Sequence, residues 1–498
     1  DRRQRQMCIR DSGGYYPIIY DKTAAMEARD KNNAETALLE SDYGRATTAK
    51  GYTKARLDRV DAPLKFGLTP ISQHVASVIH DLAYRQTIRQ LWNLTNTPTF
   101  MDTFDRYLES EYRDGLCQLL KSLANQPNRD ARAVKKLDGY LRIIRNRTTT
   151  IGLAYRVTTA VAQTLGFFTS VAALSQRGRK NGGKHSGTYW LWRGMKTFAQ
   201  SSKNREWALA NSGELRNRLN NNDVNIAEAM RGVATEISRK QKVADTMVKG
   251  GFWLIGKMDF IVAQSTWFAA YQQATQDFGY EHKDAVFYAD RIMIDSQGTG
   301  NLKDTPLFQR GSELSRSMAM FYSPFAGLYQ IWTQSAKDIK DKKQFAGAMS
   351  DLFTALVLPP LVEGILKGDA PGGDDDAIEW IKYLLGNPLF YWLSTLPIAR
   401  DAASVMDFGR VPGSLYANAF NTVFQPVKKI YKMADGKNVK GSSFVKDVLN
   451  ALAMTTGIPV GGQLADWASY DIGIMTGEIK PQSPADILYG IYRGKERK

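Results

Sequence analysis

FWLIGKMDFIVAQSTWFAAYQQATQDFGYEHKDAVFYADRIMIDSQGTGNLKDTPLFQRGSELSRSMAMFYSPFAGLYQIW, residues Phe252–Trp332, decides the fold class of this chain. Two long runs with apolar residues at three- and four-residue steps flank a loop rich in Gly and Asp. That spacing gathers the apolar side chains along one side of an α-helix, which turns once in about 3.6 residues. In the first run Trp253, Phe260 and Trp267 lie seven apart, and Leu254, Met258, Ile261 and Phe268 fill the steps between. A helix apolar nearly all round belongs in the middle of a protein, so this one is expected to be central.

Outward from this stretch the same period persists and strand-type alternation is rare, which predicts an all-α protein: an elongated multi-helix body with several buried hydrophobic helices. In Ile71–Leu94, Ile71, Val75, Val78, Leu82, Ile88 and Leu91 are expected to form a stripe. Asp102 is a candidate cap for one helix over residues 101–124, with Phe104, Tyr107, Leu108, Tyr112 and Leu116 on its apolar side. Residues 13–68 are polar and turn-rich and are expected to be extended. Gly368–Asp376 (GDAPGGDDD) is the clearest loop, and prolines beyond it, among them Pro388, Pro397, Pro412, Pro426, Pro459, Pro481 and Pro484, are expected to cut the last third into short helices. The expected regions are 1–12, 13–68, 69–150, 151–245 with a basic loop, a central core over 246–367, and 368–498. Asp1–Ser12 (DRRQRQMCIRDS) has no helical period and reads as a translated sequencing-adaptor remnant, with a basic N-terminal arm as the alternative.

The 498 residues carry 66 Lys plus Arg against 50 acidic residues, a formal charge of +16. Residues 1–12 hold four Arg and two Asp, so setting them aside lowers the charge only to +14. Such a surplus points to polyanionic partners, phosphate backbones or anionic lipid, without choosing between them. Of two Cys, only Cys117 lies outside the first twelve residues, so no internal disulfide and no oxidising compartment are implied. With only four His, all scattered, the sequence argues against a zinc site.

The strongest local charge signal is residues 177–205: Arg177, Arg179, Lys180, Lys184, Arg193, Lys196, Lys203 and Arg205, with no acidic residue and with Tyr189, Trp190, Trp192 and Phe198 interleaved. Cations neutralise phosphates and rings stack on bases, so Arg177, Arg179, Lys180, Lys184, Arg193 and Lys196 are the candidate polyanion-binding residues. The plainer reading is a solvated basic loop whose aromatics anchor the next helix. Gly178-x4-Gly183-Lys184-His185 is a near-match to a phosphate-binding loop, but His185 replaces the required Ser or Thr and the preceding segment reads as helix, not strand. Asp374–Asp376 reads as an acidic helix start rather than a metal site, and His74 and His80 fall on different helix faces. Ser443-x-x-Lys446 matches a nucleophile spacing without its companion motifs. No catalytic, cofactor or metal residue is nominated.

Four segments lack charge over nearly a membrane span: Val157–Gln176, Leu352–Val362, Tyr383–Ala399 and Val448–Ala465. Each is flawed as a span of about 20 apolar residues, by Thr and Gln in the first and by proline in the others. Buried helices are the expectation, conditional exposure to lipid the alternative.

The order of pieces in Phe252–Trp332, a Trp- and Tyr-rich helix, a Gly-Tyr-Glu turn, an Ala-Asp helix, a Gln-Gly-Thr-Gly loop and a Met-Phe-Tyr-Ser helix, resembles the C-terminal region of the large polyvalent proteins of tailed bacteriophages. The resemblance extends over most of Gly13–Lys498, best in Ile71–Leu94, Tyr155–Trp192 and Phe252–Trp332, and is specific as an ordered set rather than motif by motif. It implies a non-enzymatic, virion-internal protein ejected with the genome, first in the virion and then in the host envelope or cytoplasm. Implied partners are other virion proteins, phage DNA, host envelope lipid and further copies of the chain. Two rival readings are a DNA-packing module without a membrane role and a degenerate nucleotide-dependent enzyme.

Overall fold

The computed structural model describes residues 69–108, 110–124, 136–153, 155–220, 241–298, 323–367, 370–372, 377–393, 395, 415–434, 438–456 and 462–496. Every regular element among them is helical. The chain divides into two compact units, Asp1–Lys135 and Lys136–Lys498. Residues 1–68 and the Asp374–Asp376 loop lie outside the described residues, as does the His74 side chain.

In the first unit α1 (Thr69–Thr95), α2 (Pro98–Tyr107) and α3 (Ser110–Ala124) follow one another. The buried face of α1 is not the expected stripe. Ile88 packs on Ala124 with Trp92 and Leu123 around them, while Ile71, Val75, Leu82 and Leu91 are exposed. His80 is buried and stacks on Tyr84 at 4.8 Å; burial lowers its imidazole pKa, opposed by the Leu123 backbone and Asp81. The second expected helix is two. It begins at Pro98 behind Thr97, because a proline in the first helical turn gives up no hydrogen bond, and this leaves Asp102 inside the helix rather than at its cap. Leu108 turns extended and ends it. Tyr107, Leu108 and Tyr112, expected on an apolar face, are exposed.

The second unit contains α4 (Lys136–Leu153), α5 (Val157–Ala162), α6 (Gly166–Lys180), α7 (Gly187–Gln200), α8 (Ser202–Asn211), α9 (Gly213–Asn220), α10 (Gln241–Gln276), α11 (His282–Gln297) and α12 (Ser323–Asp338). The middle of α10 is its centre, since every residue from Val262 to Ala270 is buried. Trp267 and Phe268 pack there with Leu174 of α6, Trp190 and Leu191 of α7, Ile292 and Met293 of α11, and Leu328 and Ile331 of α12. Phe260 is partly buried against the same cluster. Trp253, two helical heptads before Trp267, points outward and lies under the Lys257 ammonium at 6.0 Å. The expectation of a central helix therefore holds for the C-terminal part of α10, while over residues 250–261 buried, half-buried and exposed positions are mixed.

A helix buried on all sides must satisfy its polar side chains internally. Gln273 donates to the Leu174 carbonyl at 3.1 Å and accepts from the Tyr288 hydroxyl at 2.9 Å; Gln264 donates to the Arg205 carbonyl at 2.8 Å; Thr266 meets Ser170 at 2.7 Å. These bonds fix the register of α10 against α6, α8 and α11. The crossing of α7 over α10 needs Gly194, where a β-carbon would lie 2.6 Å from the Ala269 nitrogen, inside the neighbouring backbone.

Two continuous helical runs, Val157–Lys180 and Phe345–Leu366, are long and apolar enough to cross a membrane, by length and composition. The first is a core element here: Ala172, Ala173 and Leu174 belong to the central cluster, and Thr169 donates to the Ser296 carbonyl at 2.9 Å. The second passes through α13 (Phe345–Leu352), a π-turn over Phe353–Val357, and α14 (Leu358–Lys367). A partner limb follows, made of α15 (Ala377–Ile381), a π-turn over Lys382–Gly386, and α16 (Asn387–Leu393).

The prolines of both limbs do not cut them. Proline lacks an N–H and crowds the carbonyl four residues back. Each limb answers by widening one turn just ahead of its proline: the Leu358 N–H bonds to the Phe353 carbonyl, and the Asn387 N–H to the Lys382 carbonyl, both five residues back. Pro359 and Pro388 stand at the same offset, two residues past the end of their π-turns. Pro426 likewise lies inside α17 (Leu415–Ala434). Pro397, Pro412 and Pro459 lie outside the described residues, while Pro481 and Pro484 mark an interruption, separating α19 (Gln463–Met475) from α20 (Pro484–Arg493), which starts with a Ser483–Asp486 capping box. Between α17 and α19 runs α18 (Gly441–Thr456).

Candidate polyanion site and apolar surfaces

The basic stretch 177–205 is not a loop. It is the last turn of α6, a turn over residues 181–186, the whole of α7 and the head of α8. This splits its cations into two groups with different surroundings.

The three cations at the end of α6 face carboxylates on three other elements of the unit. Arg177 pairs with Asp295 of α11 at 2.8 Å, Arg179 forms an ion pair and two hydrogen bonds with Asp351 of α13, and Lys180 approaches Asp338 of α12 at 4.0 Å. The C-terminal end of a helix carries partial negative charge that favours cations there, and the carboxylates complete the neutralisation. Burial pushes the Lys180 ammonium down from its ordinary pKa; Asp338 opposes the shift and the nearby Arg177, Arg179 and Lys337 add to it. Arg177, Arg179 and Lys180 thus fasten α6 to its neighbours.

The turn itself grips an anion, but one of the chain's own. The backbone N–H groups of Lys184 and His185 point at Asp277 Oδ2, at 3.1 and 3.3 Å, and the Trp190 indole donates to the same oxygen at 3.1 Å. His185 Nδ1 lies 3.0 Å from Oδ1. Burial opposes ionisation of Asp277, whose side chain is 2% exposed, yet the bonds from His185, Trp190 and Lys184 together outweigh it and hold the carboxyl below the usual range. The near-match to a phosphate-binding loop is therefore preceded by helix α6, and its amides are committed to a carboxylate at the end of α10. No sequence pattern near residue 180 announces Asp277 as its partner.

The second group stays on the outside of α7. Lys184, Lys196 and Lys203 are exposed, and none has a carboxylate partner among the described residues. Tyr189, Trp192 and Lys196 lie at three- and four-residue steps, so they share one face, and Trp192 is 68% exposed. Arg193 donates to the Tyr189 hydroxyl at 3.2 Å and to Gln276 at 2.7 Å, with its guanidinium 5.5 Å from the Trp190 ring. Arg205 is tied to the Phe198 carbonyl and stacks over its ring at 5.3 Å. Of the six candidate polyanion residues, Lys184 and Lys196 thus face outward and Arg193 is half-buried, all three without a carboxylate partner among the described residues. Trp192 and Lys203 join them, and Arg177, Arg179 and Lys180 do not.

This division has a direct test in DNA binding followed by fluorescence anisotropy across salt concentrations. Alanine at Lys184, Lys196 and Lys203 together should reduce the slope of log affinity against log salt by about 2–3, near 0.9 per lost phosphate contact. The thermal midpoint should barely move. Alanine at Arg177, Arg179 and Lys180 should do the opposite, lowering the midpoint while leaving most of the slope. Equal effects of the two triples on the slope would refute the split.

Elsewhere the Ser443-x-x-Lys446 pair is separated. Ser443 accepts from Lys429 of α17, which also pairs with Asp447 at 2.6 Å, while Lys446 turns to Asp466 of α19.

The last third of the chain presents the other conspicuous surface. Large apolar side chains stand in solvent on both limbs over 345–393, on α17 (Phe424, Val427, Ile430, Tyr431) and on α20 (Ile487, Leu488, Ile491). Rows of this kind at helical spacing mark surfaces that meet a partner or lipid. No family model, no curated protein and no solved structure matches this chain.

Proposed function

We propose that this chain is part of a virion-internal protein of a tailed bacteriophage, non-enzymatic itself, that is ejected with the genome and helps it into the host cell. Other virion proteins, phage DNA and host envelope lipid are its partners, with self-association as a further one, and it passes from the virion to the host envelope or cytoplasm. The observation that carries the reading is the pair of span-length apolar helical runs, Val157–Lys180 and Phe345–Leu366, within a body of formal charge +16. A protein that must travel with a polyanion and meet a membrane needs both properties. The order of motifs in Phe252–Trp332 supplies the phage setting.

A second reading, a DNA-packing module without a membrane role, is favoured by one feature: the outward face of α7 with Tyr189, Trp192 and Lys196.

Co-flotation with anionic liposomes separates the readings. Under the first, the protein floats with the vesicles and a substantial fraction remains bound in high salt, because buried apolar area is not screened. DNA binding without flotation favours the second. Binding to neither at low salt eliminates both. Nucleotide hydrolysis lost on Lys184→Ala would instead establish the enzyme reading.

A further inference from the structure

The two limbs over 345–393 form a helical hairpin with unlike sides. They pack side by side where the Tyr383 ring fills the space at Gly364, a β-carbon there falling 2.5 Å from Tyr383 Cε2, and where the Tyr383 hydroxyl donates to the Leu361 carbonyl. The inner side is fastened to the body. Asp351 is paired with Arg179, Ala355 and Leu356 enter the central cluster, Tyr391 packs on Phe325 at 5.8 Å and Trp392 on Trp332 at 5.9 Å.

The outer side is apolar on both limbs. Phe345, Met349, Phe353 and Ile365 are exposed on the first, at four-residue steps for the first three, and Ile378, Ile381, Leu385 and Leu389 on the second. Of the two acidic residues in Phe345–Leu366, Asp351 is buried in its ion pair and Glu363 is half-buried, so the exposed row of this limb bears no charge. Immediately before Phe345, Lys337, Lys340, Lys342 and Lys343 are all exposed, and Lys382 is exposed on the second limb beside Glu379. At about 1.5 Å per residue the first limb extends roughly 33 Å.

We propose that this hairpin is the lipid-docking element of the protein and that its partner is the surface of an anionic bilayer. It lies in the interface with its outer apolar row in the acyl boundary. The basic turn over Lys337–Lys343 reaches the headgroup phosphates from the edge of that row. Charge complementarity selects this occupant: an uncharged apolar row edged by four exposed lysines, against one exposed carboxylate at Asp341, fits an anionic interface, in which ring and aliphatic groups enter the acyl region while ammonium groups stay with phosphate. The inner ion pair of Asp351 with Arg179 remains closed, so docking requires no unfolding of the core. The proposal rests on the reading that the protein meets lipid and assigns the contact to one element.

The test uses the full chain with vesicles of mixed phosphatidylglycerol and phosphatidylcholine. Phe353→Glu combined with Leu385→Glu replaces two solvent-exposed residues, so the fold should persist, as checked by an unchanged helical circular dichroism spectrum. Vesicle binding should fall roughly tenfold or more, because two carboxylates would have to enter the acyl boundary. Leu488→Glu on α20, outside the hairpin, should leave binding within about twofold, with no lost acyl contact. Wild-type binding that the double variant retains would overturn the hairpin assignment while leaving the lipid reading in place, and loss on Leu488→Glu alone would move the contact to α20. Wild type that binds no vesicle would end both. A wild-type dimer in sedimentation that the double variant converts to monomer, with no vesicle binding, would give this face to a second copy and overturn the proposal.

Discussion

Trp267→Ala lowers the stability of the second unit by about 3–5 kcal/mol, the cost of emptying a buried aromatic site. Trp267 is 0% exposed; it stacks on Tyr271 with ring centroids 5.3 Å apart and meets the edges of Phe268 and Trp207 at 5.6 and 5.8 Å. Its indole N–H donates to Asp290 Oδ1 at 2.8 Å, an oxygen that also takes the Ser212 hydroxyl. Alanine therefore leaves a cavity among aromatic rings and strips a carboxylate of one of its donors. Trp267→Phe refills most of the volume without the donor, so its cost isolates the hydrogen bond, about 1–2 kcal/mol for a charged acceptor. Trp253→Ala is the internal control. Trp253 occupies the same helix, is 60% exposed, and should change stability by no more than about 0.5 kcal/mol. Urea titrations of the three variants, followed by circular dichroism, check the ordering. Equal costs for Trp253 and Trp267 would mean that α10 is not the centre of the unit.

Asp277→Ala should cost about 1–3 kcal/mol, because it removes the common acceptor of two backbone amides and of the indole of the buried Trp190. The Lys184 and His185 amides and the Trp190 indole lose their common acceptor, and the turn between α6 and α7 loses a link to the end of α10. The effect carries a pH signature. The folded-state pKa of Asp277 is depressed below the ordinary carboxylate range. A depressed carboxyl contributes stability above its unfolded pKa and loses it as pH falls through the lower, folded value. Wild-type urea midpoints should therefore decline in the acid range, between the unfolded carboxyl pKa of about 4 and the lower folded one. Asp277→Asn should start lower at neutral pH and show less of that decline. Parallel midpoint profiles for the two proteins would show that Asp277 is not the ionised anchor of the turn.

The helical class was legible in local spacing. Apolar steps of three and four residues depend only on neighbours along the chain, and no tertiary partner is needed to make Val262–Ala270 helical. The boundary at Gly298, a glycine with φ 65 at the end of α11, was legible for the same reason, since only the local backbone decides where a left-handed residue is needed. Pro388 and Pro426 were misread because proline's local effect, a lost hydrogen bond, has two solutions. The chain can break or it can widen a turn, and the packing of Tyr383 against Gly364 and of Leu356 into the core holds both limbs continuous.

The candidate site was legible only in part. That residues 177–205 carry cations and rings is a property of composition, and the shared face of Tyr189, Trp192 and Lys196 follows from helix geometry. Which of the cations remain free is not local. Arg177 is matched by a carboxylate 118 residues away and Arg179 by one 172 residues away, and the turn they precede is filled by Asp277, 93 residues beyond Lys184. Sequence by itself determined the helices, the basic surplus and the apolar faces, because each is set by residue type and by periods of a few residues. Only the tertiary structure decided which face of α1 is buried, why Trp253 is exposed while Trp267 is not, and which lysines of residues 177–205 stay in solvent. Each of those depends on which distant helix arrives alongside, and ion pairs and cavities exist only once it has.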